Sequence, residues 1–280
     1  MRSLRAREAW SAFMVFIAWL CAGIAAGLLA IIVLYVVQRG AGAMNLAFFT
    51  KLPAPLGISG GGVANAIVGS FEIIAMACVG AIPVGVLAGI YLALLGRGRL
   101  AFAVRFFSDV LTGVPSIAIG VFAYTVVVVP QHHFSAFSAG VALAIIMLPI
   151  VVRTTEEAVR LVPTSIREGA LALGIPMWKA ILLVTVPVAR PGIVTGALLS
   201  IARVAGESAP LLFTAFGNDF WSAGPSDRTA ALPLTLFRLA ISGFPDWQQL
   251  AWGAALTLIV LVFVINITAR SLFPARMSFR

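Results

Sequence analysis

From Trp10 to Val37 the chain runs for 28 residues without a charged side chain. A helix needs only ~20 predominantly apolar residues to cross the hydrocarbon core of a bilayer. Inside lipid, a backbone segment must satisfy its own N–H and C=O groups, which leaves the α-helix as the form for such a run. Five further apolar stretches follow, at about 72–95, 106–129, 136–152, 191–216 and 247–269. Only 10% of the 280 residues are charged and 61% are hydrophobic. A soluble domain carries about 25% charged residues, so this chain lacks the polar side chains to cover a soluble surface. The expected fold class is therefore an all-α membrane protein with six transmembrane helices. Of the six, 136–152 is the shortest.

The first run follows Arg2, Arg5 and Arg7 and contains Cys21 after Leu20. A cleaved signal has a core of about 7–15 residues. This run continues sixteen residues past the cysteine, so the expectation is a retained membrane helix. Net charge is +9, with 19 Lys and Arg. With six spans and an inner N-terminus, fourteen of these fall inside, four outside and Arg203 within a span. That asymmetry is the positive-inside rule. It places both termini in the cytoplasm, and the basic balance describes topology rather than a nucleic-acid partner. Cys21 and Cys78 have no metal-like spacing and read as apolar packing. The longest polar segments are loops at about 38–62, 153–190 and 217–246, leaving no soluble domain.

The inner loop has signals of its own. Ser165 and Glu168 fit an S-x-x-E capping box after Pro163, and Gly174 with Pro176 forms a stop signal. The expected product is a helix over 166–173. Leu171, Leu173, Ile175, Met177 and Trp178 follow along it as apolar groups outside the membrane. Spacing alone leaves two readings open: packing back on the bundle, or docking into a groove of a partner.

Arg203 and Glu207 stand four apart in the 191–216 run. A charge at a helix centre costs ~2.5–3.5 kcal/mol on the insertion scale, so it usually faces a bundle interior or a water-filled path. Gly206, Ser208 and Pro210 loosen the helix around the pair. The pair either lines a path or locks helices together. Arginine would suit a tetrahedral oxyanion through its forked donors. Among lesser candidates, His132 and His133 are expected in a solvated loop. Asp109 is expected to pair with Arg105 at i, i+4, and Glu72 is open between the outer end of its helix and the bundle. There is no Gly-x-x-x-x-Gly-Lys-Ser loop for ATP and no catalytic triad. The chain is expected to bind no cofactor itself and to be no enzyme alone.

The stretch EGALALGIPMWKAILLVTVP (168–187) resembles the EAA loop of ABC importer permeases: Glu168-Gly169-Ala170, Gly174 and Pro187 stand at its spacings. Gly169 replaces an alanine, while Val184 and Val186 replace Ile and Leu. The segments GGVANAIVGS (61–70), LAGIYLA (87–93), TGVPSIAIGVFAY (112–124) and RVAGESAPLLFTA (203–215) are similar to permease subunits of phosphate importers. The Arg-x-x-Gly-Glu element also recurs in permeases for sulfate and molybdate. Ser208 stands where threonine is usual, and Leu94 where that family often has glutamate.

The resemblance implies a type I ABC importer permease fold. It divides the chain into a first helix and outer loop at 1–62, a transmembrane domain at 63–270 with its coupling loop at about 163–190, and a tail at 271–280. It implies a role for Glu168, Gly169, Ala170, Gly174 and Pro187 in coupling to a cytoplasmic ATPase that uses ATP. It implies a translocation path lined by Arg203, Glu207 and Ser208, with Gly113, Pro115 and Ser116 on a neighbouring wall. The implied partners are a second permease, two ATP-binding subunits and an external phosphate-binding protein, all at a bacterial plasma membrane. Alternatives are another oxyanion (phosphonate, sulfate or molybdate) or an ion-coupled carrier.

Overall fold

The apolar stretches form long helices, and their boundaries follow glycine, proline and capping residues more than hydropathy. The computed structural model describes residues 4–55, 58 and 60–272. In chain order the helices are α1 (Leu4–Gly40), α2 (Leu46–Thr50), α3 (Ala64–Leu94) and α4 (Gly98–Gly113). They continue with α5 (Ser116–Gln131), α6 (Ala136–Arg160), α7 (Thr164–Ala172) and α8 (Met177–Ala205). Last come α9 (Ala209–Thr214), α10 (Leu232–Ala240) and α11 (Pro245–Leu272). Of the tail expected at 271–280, residues 273–280 lie outside the described residues, with Arg276 and Arg280 among them.

Several expected spans change. The run expected at 72–95 begins at Ala64, and the one expected at 136–152 continues to Arg160. The inner loop therefore starts after residue 160, and its later part is already the start of α8. The 106–129 run is not one straight helix. It is α4 and α5 meeting at a bend of 108°. Pro115 causes this: it cannot donate a backbone hydrogen bond, and the residue before a proline is pushed to extended geometry. Val114 accordingly sits at φ −71°, ψ 132°.

Five helices are long and apolar enough to cross a membrane, or six if the bent pair is one crossing. Packing direction decides for six. α3 and α6 run parallel: Met76 faces Gly140, Gly80 faces Ala144, Gly85 faces Val151 and Gly89 faces Thr155. Two parallel helices start on the same side, so the chain between them must return across the membrane. α4–α5 is that return.

Close approach of α3 and α6 depends on small residues, as helix packing in membranes generally does. The core they share contains Ile73, Ala77, Ala81, Leu143 and Met147, joined by Ile119 of α5, Val204 of α8 and Leu211 of α9. A second core buries Phe48 of α2 completely and ties it to Val63, Leu239 of α10 and Ala251 and Ala254 of α11. Asn45 caps α2, its side chain accepting from the Phe48 N–H at 2.8 Å. α1 stands apart. It is exposed along nearly its whole length, and meets α11 near its end, where the Tyr35 and Trp252 rings lie edge to face at 5.3 Å.

A Cβ added at Gly89 would come within 2.6 Å of Thr155 Cβ and 2.7 Å of the Val152 carbonyl. Gly89→Ala is expected to cost about 1–3 kcal/mol through forced separation of α3 and α6. Gly80→Ala, whose nearest neighbour is 3.7 Å away, is expected to be near neutral. Thermal unfolding of the two purified variants in detergent checks the contrast.

Candidate functional site

Two helix interruptions lie side by side within the bundle. One is the α4–α5 bend at Val114–Pro115. The other separates α8 from α9 at Gly206–Ser208, where Pro210 in the first turn of α9 restarts the helix. The sequence places the run at 191–216 as one span; the structure divides it here. The two restarted helices touch closely, for a Cβ on Gly120 of α5 would lie 2.6 Å from Pro210 Cα.

Between the interruptions a small cavity is lined by Leu111, Thr112, Val114 and Ser116 of the bend, Ile146, Pro149 and Ile150 of α6, and Arg203 of α8. The structure thus brings Arg203 together with Ser116, 87 positions apart in sequence. Glu207 joins through an ion pair with Arg203, Nε to Oε1 at 4.0 Å, and Ser208 is half-buried at the break. Gly113 and Pro115 form the bend and are exposed, without lining the cavity. Arg203 is the anomaly of the site. Its side chain is 54% exposed while that of Glu207 is 19% exposed. It lies thirteen residues beyond Arg190, about 20 Å up the helix at 1.5 Å per residue. An arginine this far into a span must face water or another polar surface.

The inner segment forms a helix, with different ends from those expected. α7 covers Thr164–Ala172, Pro163 precedes it, and no side chain caps its start. The Ser165–Glu168 capping box does not form, because the helix begins one residue before Ser165 and the serine is already inside its first turn. The stop signal holds. Gly174 takes φ +79°, its N–H donates to Leu171 O at 2.9 Å, and Ile175 N–H donates to Ala170 O at 3.2 Å. These two bonds are the Schellman closure that a left-handed glycine permits. Ala170 is buried, whereas Glu168, Gly169, Leu171, Leu173 and Trp178 are exposed. Pro187 follows a widened turn over Ala180–Thr185.

One cluster was missed in the sequence. Glu156, with a side chain 3% exposed, pairs with Arg160 at 2.6 Å, Arg105 at 2.8 Å and Arg153 at 3.6 Å. Asp109 pairs with Arg153, not with Arg105 as its spacing suggested. The run Arg153, Glu156, Glu157, Arg160 at the end of an apolar helix was the available signal. On the opposite side, His132 and His133 are exposed as expected and line a pocket with Arg228. Arg228 lies 5.4 Å and 5.3 Å from the Phe134 and Phe216 ring centres. Glu72 is half-buried within α3, eight residues after its start at Ala64.

Residues 85–277 match the family described as binding-protein-dependent transport system inner membrane component. The chain is 47% identical over 241 residues to the phosphate transport system permease protein PstA of Yersinia pestis, covering 86% of this chain and 82% of that protein. It is 47% identical over 238 residues to the PstA of Xylella fastidiosa, covering 84% of this chain and 83% of that protein. Phosphate transport system permease protein PstA 1 of Mycobacterium tuberculosis is 41% identical over 211 residues, covering 75% of this chain and 68% of that protein. Among solved structures, an inward-facing MetNI methionine ABC transporter chain superposes with a TM-score of 0.58 at 21% identity, covering 74% of this chain and 94% of that chain. That likeness is one of fold.

An exposed i, i+4 ion pair contributes only about 0.3–0.5 kcal/mol. Glu207→Gln should therefore lower stability by no more than about 0.5 kcal/mol. Chemical denaturation of the purified protein measures this. A loss above about 2 kcal/mol would instead mark the pair as a structural lock, the effect of breaking a buried pair.

Proposed function

Since the chain belongs to the family of binding-protein-dependent transport system inner membrane components, we propose that it forms one half of the membrane pathway of an ATP-driven importer of inorganic phosphate. The observation that carries this reading is Arg203, a permanent cation more than half exposed in the last turn of α8 and facing the middle of α6, beside the interruptions of two neighbouring helices. Facing lipid, it would cost ~2.5–3.5 kcal/mol. A water-filled path shared with a second permease removes that cost and gives the charge a task.

Guanidinium donors match two oxygens of a tetrahedral oxyanion, and the charge persists at any physiological pH. Glu207, held at 4.0 Å, tempers the attraction enough for an anion to leave. Ser116 and Ser208 offer hydroxyl donors along the same wall, and Gly113 and Pro115 set the bend that opens it. On the inner side, α7 presents Glu168 and Gly169 with exposed leucines to an ATP-binding subunit, while buried Ala170 seats the helix, Gly174 ends it and Pro187 follows in the first turns of α8. ATP is bound and hydrolysed in that partner, and this chain holds no cofactor. The assembly comprises a PstC-like second permease, two copies of a PstB-like ATP-binding subunit and a PstS-like external phosphate-binding protein. It sits in a bacterial plasma membrane, with both termini of this chain cytoplasmic.

The test is radiolabelled phosphate uptake by cells lacking their own high-affinity system and carrying the complete set of subunits. Arg203→Met should cut uptake at least tenfold, the ~1.4 kcal/mol equivalent of losing one charge-assisted contact, with normal protein in the membrane. Glu168→Arg should abolish uptake. Unchanged uptake in both variants would sink the reading. Competition by sulfate, molybdate or phosphonate without phosphate uptake would reassign the cargo.

A further inference from the structure

Glu156 carries more ion pairs than a helix end requires. It lies near the inner end of α6, four residues before Arg160, and α7 begins only four residues after that arginine. Its Oε1 takes both the Arg160 contact and a hydrogen bond from Arg105 Nε at 2.8 Å. Arg105 Nη2 also donates to the Leu92 carbonyl at the end of α3, at 2.8 Å. One turn along α4, Asp109 accepts from Arg153 of α6. Two positions one turn apart on α4 are thereby tied to two positions one turn apart on α6.

Apolar packing accompanies these ion pairs, with Ala88, Tyr91, Val104 and Leu148 partly buried around the contact. The buried apolar residues at this contact are Leu92, Ala101 and Val152. Buried ion pairs are a poor source of stability compared with apolar packing, yet they fix register and direction. Beyond Asp109, the same helix supplies Leu111 and Thr112 to the wall of the cavity that holds Arg203. Glu156 Oε2 has no hydrogen-bond partner among the described residues and is engaged only by the 3.6 Å ion pair with Arg153.

From this chain of contacts we infer that Glu156 is a positioning residue that transmits displacement of α7, through Arg160 and Arg105, to α4 and so to the wall facing Arg203. The inference rests on the proposed function, because it needs an ATPase that moves α7. A contiguous route of packed and ion-paired groups supports such coupling. The chain through Leu161, Val162 and Pro163 joins α7 to Arg160, and the ion pairs carry the route from Arg160 onward.

The complete transporter, reconstituted in proteoliposomes, allows phosphate uptake and ATP hydrolysis to be measured together. Glu156→Gln and Arg105→Gln are expected to lower phosphate carried per ATP at least fivefold, with hydrolysis retained at half the wild-type rate or more. Arg105→Lys, which keeps the charge, should recover part of the ratio. A merely structural role would lower both activities together and leave the ratio unchanged, which overturns the inference. If Glu156→Gln fails to assemble, Arg105→Gln decides by the same ratio, since its side chain is 28% exposed and its loss leaves Glu156 with two arginines. A wild-type assembly without ATP-driven phosphate uptake would overturn the functional reading itself, and this inference with it.

Discussion

The close, parallel packing of α3 and α6 fixes the rest of the molecule. Glycines at 85, 89 and 140 let the two helices approach until backbone and β-carbons touch. In lipid the hydrophobic effect does not draw helices together, so contact area and small residues must do so. Once the two helices run in the same direction, α4–α5 has to carry the chain back across. It does so with a proline bend that puts Ser116 opposite Arg203. α8 then packs antiparallel on α6, as Gly192 against Ala158 and Gly196 against Thr154 record. The interruption between α8 and α9 arrives at the depth of that bend as a result.

Arginines are treated in two contrasting ways along this framework. Around Glu156, Arg105 is held by 2.8 Å contacts to the carboxylate and to the Leu92 carbonyl, and Arg160, itself 55% exposed, keeps a 2.6 Å contact to the same carboxylate. Arg203 has one carboxylate at 4.0 Å and an exposed side chain. The two settings differ in what they leave available. A guanidinium held by close partners ties elements together, while Arg203 has only the looser Glu207 contact among the described residues.

Much of this was legible in the sequence because lipid makes hydropathy decisive. The six apolar runs, the loosening around Gly206–Pro210 and the glycine stop at Gly174 act locally and were readable, although the bounds of several runs shift and the 106–129 run bends at Pro115. The S-x-x-E pattern at Ser165 misled because Pro163 starts the helix one residue earlier, leaving no free N-cap for the serine. Asp109 misled because i, i+4 spacing describes only its own helix, and Arg153 on α6 is the nearer partner. Glu156 was missed for the same reason. Two of its arginines lie on its own helix, and the third is 51 positions away. No spacing rule finds a pairing that exists only after two helices dock. The joining of Arg203 with Ser116 has that character too, and came within reach only because both stood beside visible helix breaks.

Departures from regular helix are not spread evenly. Wider turns, with bonds from residue i to i−5, occur at Tyr124–Val128 and Ala180–Thr185, and each ends two residues before a proline, Pro130 and Pro187. A proline lacks the N–H that would bond four residues back, and its ring crowds that carbonyl. Adding a residue to the preceding turn moves the carbonyl aside and lets Val129 and Val186 bond to Tyr124 and Ile181 instead. Such turns cost regular hydrogen bonding and are retained mainly where a helix must deform or present a group. Here they fall at the C-terminal end of α5 and the N-terminal start of α8, the two elements whose other ends frame Arg203. α3 and α6 contain Pro83 and Pro149 yet continue as unbroken helices. The molecule therefore separates a continuous pair that holds position from an interrupted pair whose backbone has somewhere to yield, and Arg203 belongs to the second.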